Sequence, residues 1–366
     1  MITLTLILDR ILLRQRGATW LHDVSLELNN GLTVLLGPSD AGKTTLMRVS
    51  AGLLPPTSGR VMVDGKDVTS VSVRRRSVAF VYQQFINYPS LTVYENIASP
   101  LRLARDFPKS EIDRRVRTVA DLMGIGGLEK RRPAELSGGQ QQRIAIARAL
   151  ARPVDVLLLD EPLANLDYKL REQLRTDLKA MFADSPSVVV YSTADPAEAL
   201  TFAAPTVVLG EGRVQHVGDA ADMYENPPSL AVAATLSDPP LNLLPGVVRE
   251  GRIECLGASF RAPGAHRTDQ RVTLGVRPHQ VTLTRGGPDD LAFPAEVRLA
   301  EVTGSATFLH LQLADQRHLV AELPGTRLFP PGESATAFVD PAHIFAFDAD
   351  SGVLLARSAL EVDLHG

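Results

Sequence analysis

The nine residues GPSDAGKTT (37–45) constrain this chain more than any other stretch. They follow an apolar run, LTVLLG (32–37), and open a helix-like segment, LMRVSAG (46–52). The stretch fits G-x-x-x-x-G-K-[ST], a strand-to-helix turn whose backbone N–H groups and helix N-terminus face phosphate oxygens. On that pattern Gly37, Pro38, Ser39, Asp40, Ala41, Gly42, Lys43, Thr44 and Thr45 cradle a nucleotide. Lys43 reaches the β- and γ-phosphates, and the Thr44 hydroxyl ligates Mg²⁺. A glycine-rich turn without a ligand is the alternative, and the flanking strand and helix weigh against it.

Two later stretches supply the company that such a loop needs. In VDVLLLDEP (154–162) an apolar strand ends in Asp160, where a carboxylate can hold a metal through water. The next residue, Glu161, can orient or deprotonate an attacking water. LSGGQQQRIAIARAL (136–150) places a serine and two glycines just before a helix with apolar Ile144, Ile146, Ala147 and Leu150. Such a helix start offers N–H groups and a positive dipole end to an anion. A capped helix explains Ser137 and the glycines, but not their position between a phosphate loop and Asp160.

With these residues in hand, residues 1–235 resemble the ATP-binding cassette family, whose signature is LSGGQ. The chain looks most like the ATPase subunits of bacterial carbohydrate-uptake importers, the MalK-like group. The resemblance implies an α/β P-loop cassette with a helical subdomain at about 84–153, binding ATP and Mg²⁺. It implies that Gln83 touches Mg²⁺, together with Thr44 and, through water, Asp160, and that Gln83 senses membrane subunits. It implies that YPSLTVYENIASPLR (88–102) docks a permease and that Asp167 in LANLD (163–167) communicates across a dimer. Ser137, Gly138, Gly139 and Gln140 then face ATP held by the phosphate loop of a second ATPase subunit. The implied assembly has two integral membrane permease subunits, works with an extracytoplasmic solute-binding protein, and sits on the cytoplasmic face of a bacterial plasma membrane.

The rest of the chain is read from pattern and composition. At about 150 residues per domain, 366 residues suggest two or three domains. No apolar stretch reaches the ~18 residues of a membrane helix. The single cysteine, Cys255, excludes an internal disulfide and fits a reducing compartment. The N-terminal segment lacks the basic start and cleavage site of a signal peptide, so a strand is expected there and a mature chain starting at Met1. LTVLLG, SVAFVY (77–82), VDVLLLD (154–160), SVVVYS (187–192) and TVVLG (206–210) read as strands of a largely parallel sheet. KSEIDRRVRTVADLMGI (109–125) reads as an inserted helix, with Ile112, Val116, Val119 and Leu122 on one face. Prolines in SDPPLNLLPG (237–246) suggest a linker at 236–246, outside any helix or central strand. Beyond it, residues 247–366 hold eleven arginines, no lysine and fifteen acidic residues, in alternating patterns typical of a small β-barrel. That module resembles the carboxy-terminal OB-like, TOBE-type barrel of the same group, with GVRP (275–278) the best local match. Its net charge of −4 argues against nucleic-acid binding, and so against a soluble cassette acting on nucleic acid or ribosomes.

Three departures from the family pattern stand out. Asp40 replaces a glycine usual in the loop, and Asp tolerates positive φ better than most residues. The switch histidine is replaced by Ala194, and no histidine lies between His22 and His216 to substitute for it. Losing one preorganised polar contact to a transition state costs about 10²–10³ in rate. The adenine-stacking aromatic is also missing, since Gln15 or Arg16 falls at its place; the lone tryptophan, Trp20, is expected in the core, with stacking on adenine, should the alignment slip, as the alternative. These departures suggest pairing with a different ATPase and two unequal ATP sites, with a compensated homodimer or a non-hydrolysing regulatory subunit as alternatives. The altered loop and missing histidine also resemble ATPases of glycerol or polyol importers.

Overall fold

The structure, a computed structural model, describes residues 4–357 apart from 16, 85, 165 and 262–267. It divides into two compact units, Met1–Ala220 and Ala221–Gly366.

Among the described residues the first unit holds ten strands: β1 Thr5–Gln15, β2 Ala18–Asn29, β3 Gly31–Leu36, β4 Ser58–Val63, β5 Lys66–Asp67, β6 Val78–Val81, β7 Val156–Asp160, β8 Val188–Thr193, β9 Pro205–Gly210 and β10 Arg213–Asp219. Six of them form one sheet in the order β10-β9-β3-β8-β7-β6, parallel except for the edge strand β10. The five runs read as strands in the sequence are β3, β6, β7, β8 and β9. Every residue of β7 and β8 is buried, because a parallel sheet covered on both faces needs continuous apolar runs. The N-terminal segment is a strand and belongs to a second, antiparallel sheet, β2-β1-β4-β5. There β2 alternates, with Leu26 and Leu28 buried and Glu27 and Asn29 exposed, which is the pattern of a sheet with one wet face.

Six α-helices lie among the described residues of this unit: α1 Lys43–Ala51, α2 Val93–Ala104, α3 Lys109–Leu122, α4 Gly138–Ala151, α5 Tyr168–Phe182 and α6 Pro196–Phe202. α2, α3 and α4 pack on one another. α3 buries Ile112, Val116 and Val119 of the face that its spacing predicts, while Leu122 at its end is half-buried. α2 opens with a capping box, in which the Thr92 hydroxyl accepts from the Glu95 amide and the Glu95 carboxylate accepts from the Thr92 amide. The C-terminal ends of β3, β6, β7 and β8 run into Gly37, the 82–84 turn, Glu161 and Ala194, so the sequence candidates gather at one edge of the parallel sheet.

The second unit is all antiparallel beyond its first two helices, Ala220–Glu225 and Leu230–Thr235. A six-stranded sheet runs from Ala258–Arg261 to Leu354–Arg357, and a five-stranded sheet from Val281–Thr282 to His318–Pro324. Their alternating residues, among them Val248, Ile253, Leu274, Val297, Leu309 and Leu311, form one core. Cys255 is buried there, and burial pushes its thiol up to about 11. The expected linker at 236–246 needs correcting. Asn242–Arg249 is a strand that includes Pro245, paired with Arg271–Val276. Its second neighbour, Arg252–Cys255, begins pairing only at Val247, so Pro245 sits where one side of the strand is open and no N–H is needed. Residues 221–236 also belong to this unit: Ala233 packs with Leu241, Phe345 and Phe347, and buried Arg277 donates to the Tyr224 carbonyl and lies over its ring. Among the described residues no helix is long and apolar enough to cross a membrane.

Candidate functional site

The phosphate loop is shaped by backbone that only certain residues tolerate. A Cβ at Gly37 would lie 2.3 Å from the Leu209 carbonyl oxygen of β9, so this position takes no side chain. Gly42, the residue before α1, has φ +99, and Asp40 has φ +65. Asp40 therefore supplies the left-handed turn that the family's usual glycine would otherwise give, and the loop closes with the Ala41 N–H donating to the Pro38 carbonyl at 3.2 Å. No side chain caps α1. The first helical amides, at Lys43, Thr44 and Thr45, have no acceptor within the helix and suit an anion.

Lys43 is 4% exposed, and its ammonium is fully engaged. Nζ donates to the Gly37 carbonyl at 2.7 Å and the Pro38 carbonyl at 3.0 Å, and lies 3.3 Å from Glu161 Oε1. Glu161 Oε2 accepts from Gln83 Nε2 at 2.9 Å. Glu161 is itself held in a left-handed conformation, φ +45, by its N–H donating to the Ser192 carbonyl (3.2 Å) and hydroxyl (3.1 Å) of β8. That turn swings the carboxylate off the end of β7 toward Lys43. The same Ser192 hydroxyl donates to Asp160 Oδ1 at 2.7 Å, orienting a carboxylate that is almost fully buried. Lys43, Gln83, Asp160 and Glu161 thus form one cluster at the mouth of the loop.

The signature stands at the start of α4. Ser137 caps that helix: its hydroxyl accepts from the Gln140 N–H at 3.3 Å, and its own N–H donates to Gln140 Oε1 at 3.0 Å. Gln140 therefore closes a capping box on its own helix. A Cβ at Gly138 would meet nothing within 4 Å, so that surface is open. Asp167 caps α5, accepting from the Leu170 N–H at 3.0 Å. Exposed Ala194 borders a cavity of about 170 Å³ that is also lined by Glu161, Ala164, Arg171, Thr193, Asp195 and Glu198.

Comparison with known proteins decides what this geometry belongs to. The family model described as ABC transporter matches residues 21–164, the TOBE domain model residues 274–347, and the CysA C-terminal regulatory domain model residues 242–283. The sn-glycerol-3-phosphate import ATP-binding protein UgpC of Cereibacter sphaeroides is 36% identical over 92% of this chain and 95% of its own length. The chain belongs to the ABC transporter ATPases. The alpha-glucoside transport ATP-binding protein AglK of Rhizobium meliloti is 35% identical, covering 90% of this chain and 93% of that protein. The xylose/arabinose import ATP-binding protein XacK of Haloferax volcanii is 34% identical, covering 93% and 91%. Among solved structures, the dimeric post-hydrolysis state of the ATP-binding cassette MJ0796 bound to ADP and Pi aligns with TM-score 0.55 and 29% identity, over 59% of this chain and 98% of that one. As an ABC ATPase this chain binds ATP, and the cradle fits the triphosphate: uncapped amides, a buried lysine, and a glycine where a Cβ would collide.

Some residues of the cassette site escaped the sequence. Trp20 is 49% exposed and is not a core residue. It faces out from β2, and its carbonyl lies 3.4 Å from where a Cβ on Gly42 would stand, which places it beside the loop. Arg16, one candidate for the adenine-stacking place, lies outside the described residues. Around the Ala194 cavity the Tyr191 hydroxyl donates to Glu198 Oε2 at 3.0 Å, and burial holds the Glu198 carboxyl above its ordinary range. Arg171 donates to the Ala164 (3.3 Å) and Leu166 (3.1 Å) carbonyls.

Proposed function

We propose that this ABC ATPase energises import of a carbohydrate or glycerol-type solute, from the cytoplasmic face of a bacterial plasma membrane, as the partner of a second ATPase with an unequal ATP site. The convergence of Lys43, Glu161 and Gln83 on the phosphate loop carries the reading. Lys43 and the uncapped amides at the start of α1, those of Lys43, Thr44 and Thr45, hold the phosphates, and Lys43 exchanges its carbonyl and carboxylate partners for phosphate oxygens on binding. Mg²⁺, when bound, neutralises charge developing on the phosphates. The Thr44 hydroxyl, the Gln83 amide oxygen and Asp160, through water, offer the hard oxygen donors that this ion takes. Glu161, steadied by Gln83 and Ser192, orients the attacking water and takes up its proton.

In a head-to-tail pair, Ser137, Gly138, Gly139 and Gln140 face ATP on the partner's loop, with Asp167 between the two sites. Relatives named for import of sn-glycerol-3-phosphate or xylose/arabinose, and for transport of alpha-glucosides, support an importer with two permease subunits and a solute-binding protein. Support for unequal sites comes from Ala194, which puts a methyl group and a cavity where the family pattern has an imidazole. The same residue favours a second reading, a regulatory subunit that holds ATP without turnover.

Trp20, the only tryptophan, offers a direct test of binding. Its emission changes saturably when ATP is added to the purified full-length chain, and Lys43→Ala removes the change. Saturable ATP binding to wild type that leaves Trp20 emission unaltered would separate Trp20 from the nucleotide. Failure of wild type to bind ATP at all would remove the proposal.

A further inference from the structure

The sequence QQQR holds a glutamine that the nucleotide site leaves unused. Gln142 lies on the inner face of α4, five residues after Ser137, and is 1% exposed. Its Nε2 donates to the Pro162 carbonyl at 2.5 Å, while its Oε1 has no hydrogen-bond partner. A carbonyl only accepts, so the amide orientation is fixed by that bond. A buried, unpaired acceptor opposes folding, so this side chain is not one that stability alone would place here. Pro162 follows Glu161, and the two residues form the turn that carries the hydrolytic carboxylate. One side of that turn is pinned to β8 by Ser192, and the other is pinned to α4 by Gln142. The same helix holds the 86–87 segment, just before the expected permease dock: Asn87 Nδ2 donates to the Gln141 carbonyl at 2.8 Å, and Arg148 donates to the Ile86 carbonyl.

We propose that Gln142 is a positioning residue for Glu161, tying the hydrolytic turn to α4 so that displacement of α4, from its signature end or from the 86–87 segment, is passed to the carboxylate. The proposal rests on the reading of Glu161 as the group that orients water. It adds a route to Glu161 through α4, separate from the direct contact of Gln83.

The test is single-turnover ATP hydrolysis by excess purified full-length chain, in which every ATP consumed sits on this chain's own loop. Gln142→Met keeps the length and removes the amide. It lowers the hydrolysis rate roughly ten- to a hundredfold, the scale of a misplaced catalytic group, and leaves ATP affinity within about twofold. The melting temperature stays within about 4 °C, because an orphan acceptor is lost along with the bond. Gln142→Glu recovers activity relative to wild type as pH falls, since a buried carboxyl has a raised pKa and donates to the Pro162 carbonyl only when protonated. In a Glu161→Gln background, Gln142→Met causes no further loss. Wild-type turnover in Gln142→Met, or the same fold loss with and without Glu161, overturns the proposal. So does a loss of activity that follows a fall in melting temperature, with no recovery in Gln142→Glu. Full activity in Glu161→Gln alone would instead overturn the reading of Glu161.

Discussion

Two helices of the cassette, α1 and α4, begin with glycine-rich turns, yet they satisfy their first amides in opposite ways. At α1 the preceding residue is Gly42, in a left-handed conformation, and no side chain caps the helix. At α4 Ser137 and Gln140 cap each other through two hydrogen bonds. The first arrangement leaves donors for an external anion and relies on Lys43 for charge. The second has its Ser137 and Gln140 amides satisfied within the chain and leaves those of Gly138 and Gly139 open, so it can be read by a partner without being built by one. One start is a receptor, and the other is a finished surface.

The widest separation between the two comes from nucleotide binding to the isolated chain. Lys43→Ala weakens ATP by at least about 100-fold, on the order of 3 kcal/mol, because buried charge-assisted bonds are lost. Ser137→Ala leaves that affinity within about twofold, since its surface serves the other site. Titration with a fluorescent nucleotide checks both, and comparable losses would erase the distinction. Stability separates the glycines next. Gly37→Ala drives a Cβ to 2.3 Å from a backbone oxygen and costs about 2–4 kcal/mol. Gly138→Ala has open space and changes stability by no more than about 1 kcal/mol. Urea unfolding of the two variants measures the difference, and a Gly138→Ala variant as unstable as Gly37→Ala would contradict it.

How much of this was legible in the sequence follows the range of each interaction. The phosphate loop, Asp160, Glu161 and the signature are local patterns, each set in a short stretch at the end of β3, at the end of β7 or at the start of α4, so their residues announced them. The helix α2 was not read from the sequence: Pro100 inside it obscures its length, and its capping box, Thr92 with Glu95, shows only in the structure. Gln142, Glu198 and Trp20 depend on partners up to 20 residues away or on the exposure of one strand face, which no local pattern encodes. Pro245 misled for a related reason: a proline argues against a strand only where both sides are paired, and its strand is open on one side there.

The smallest effect concerns the cavity beside Ala194, which neither helix start touches. The Glu198 carboxyl has its pKa raised by burial above the ordinary glutamate range, so its ionised form is disfavoured in the folded state. That contribution to stability is fully present below the unfolded-state value and is lost as pH rises through the folded value. Glu198→Gln removes the loss. The variant therefore melts a few degrees higher than wild type near pH 8, and the gap closes toward pH 4. A gap that widened on acidification would reverse the sign of the argument.

Whether the two helix starts serve unequal ATP sites is tested most directly by transport. In the assembled importer, Ser137→Ala and Glu161→Gln are introduced into this chain alone, and uptake is measured for each. The unequal-site account predicts that Ser137→Ala, which damages the partner's complete loop site, reduces uptake more than Glu161→Gln, which damages the site that Ala194 already weakens. Equal losses, in a purified transporter with this chain as its only ATPase, would contradict it.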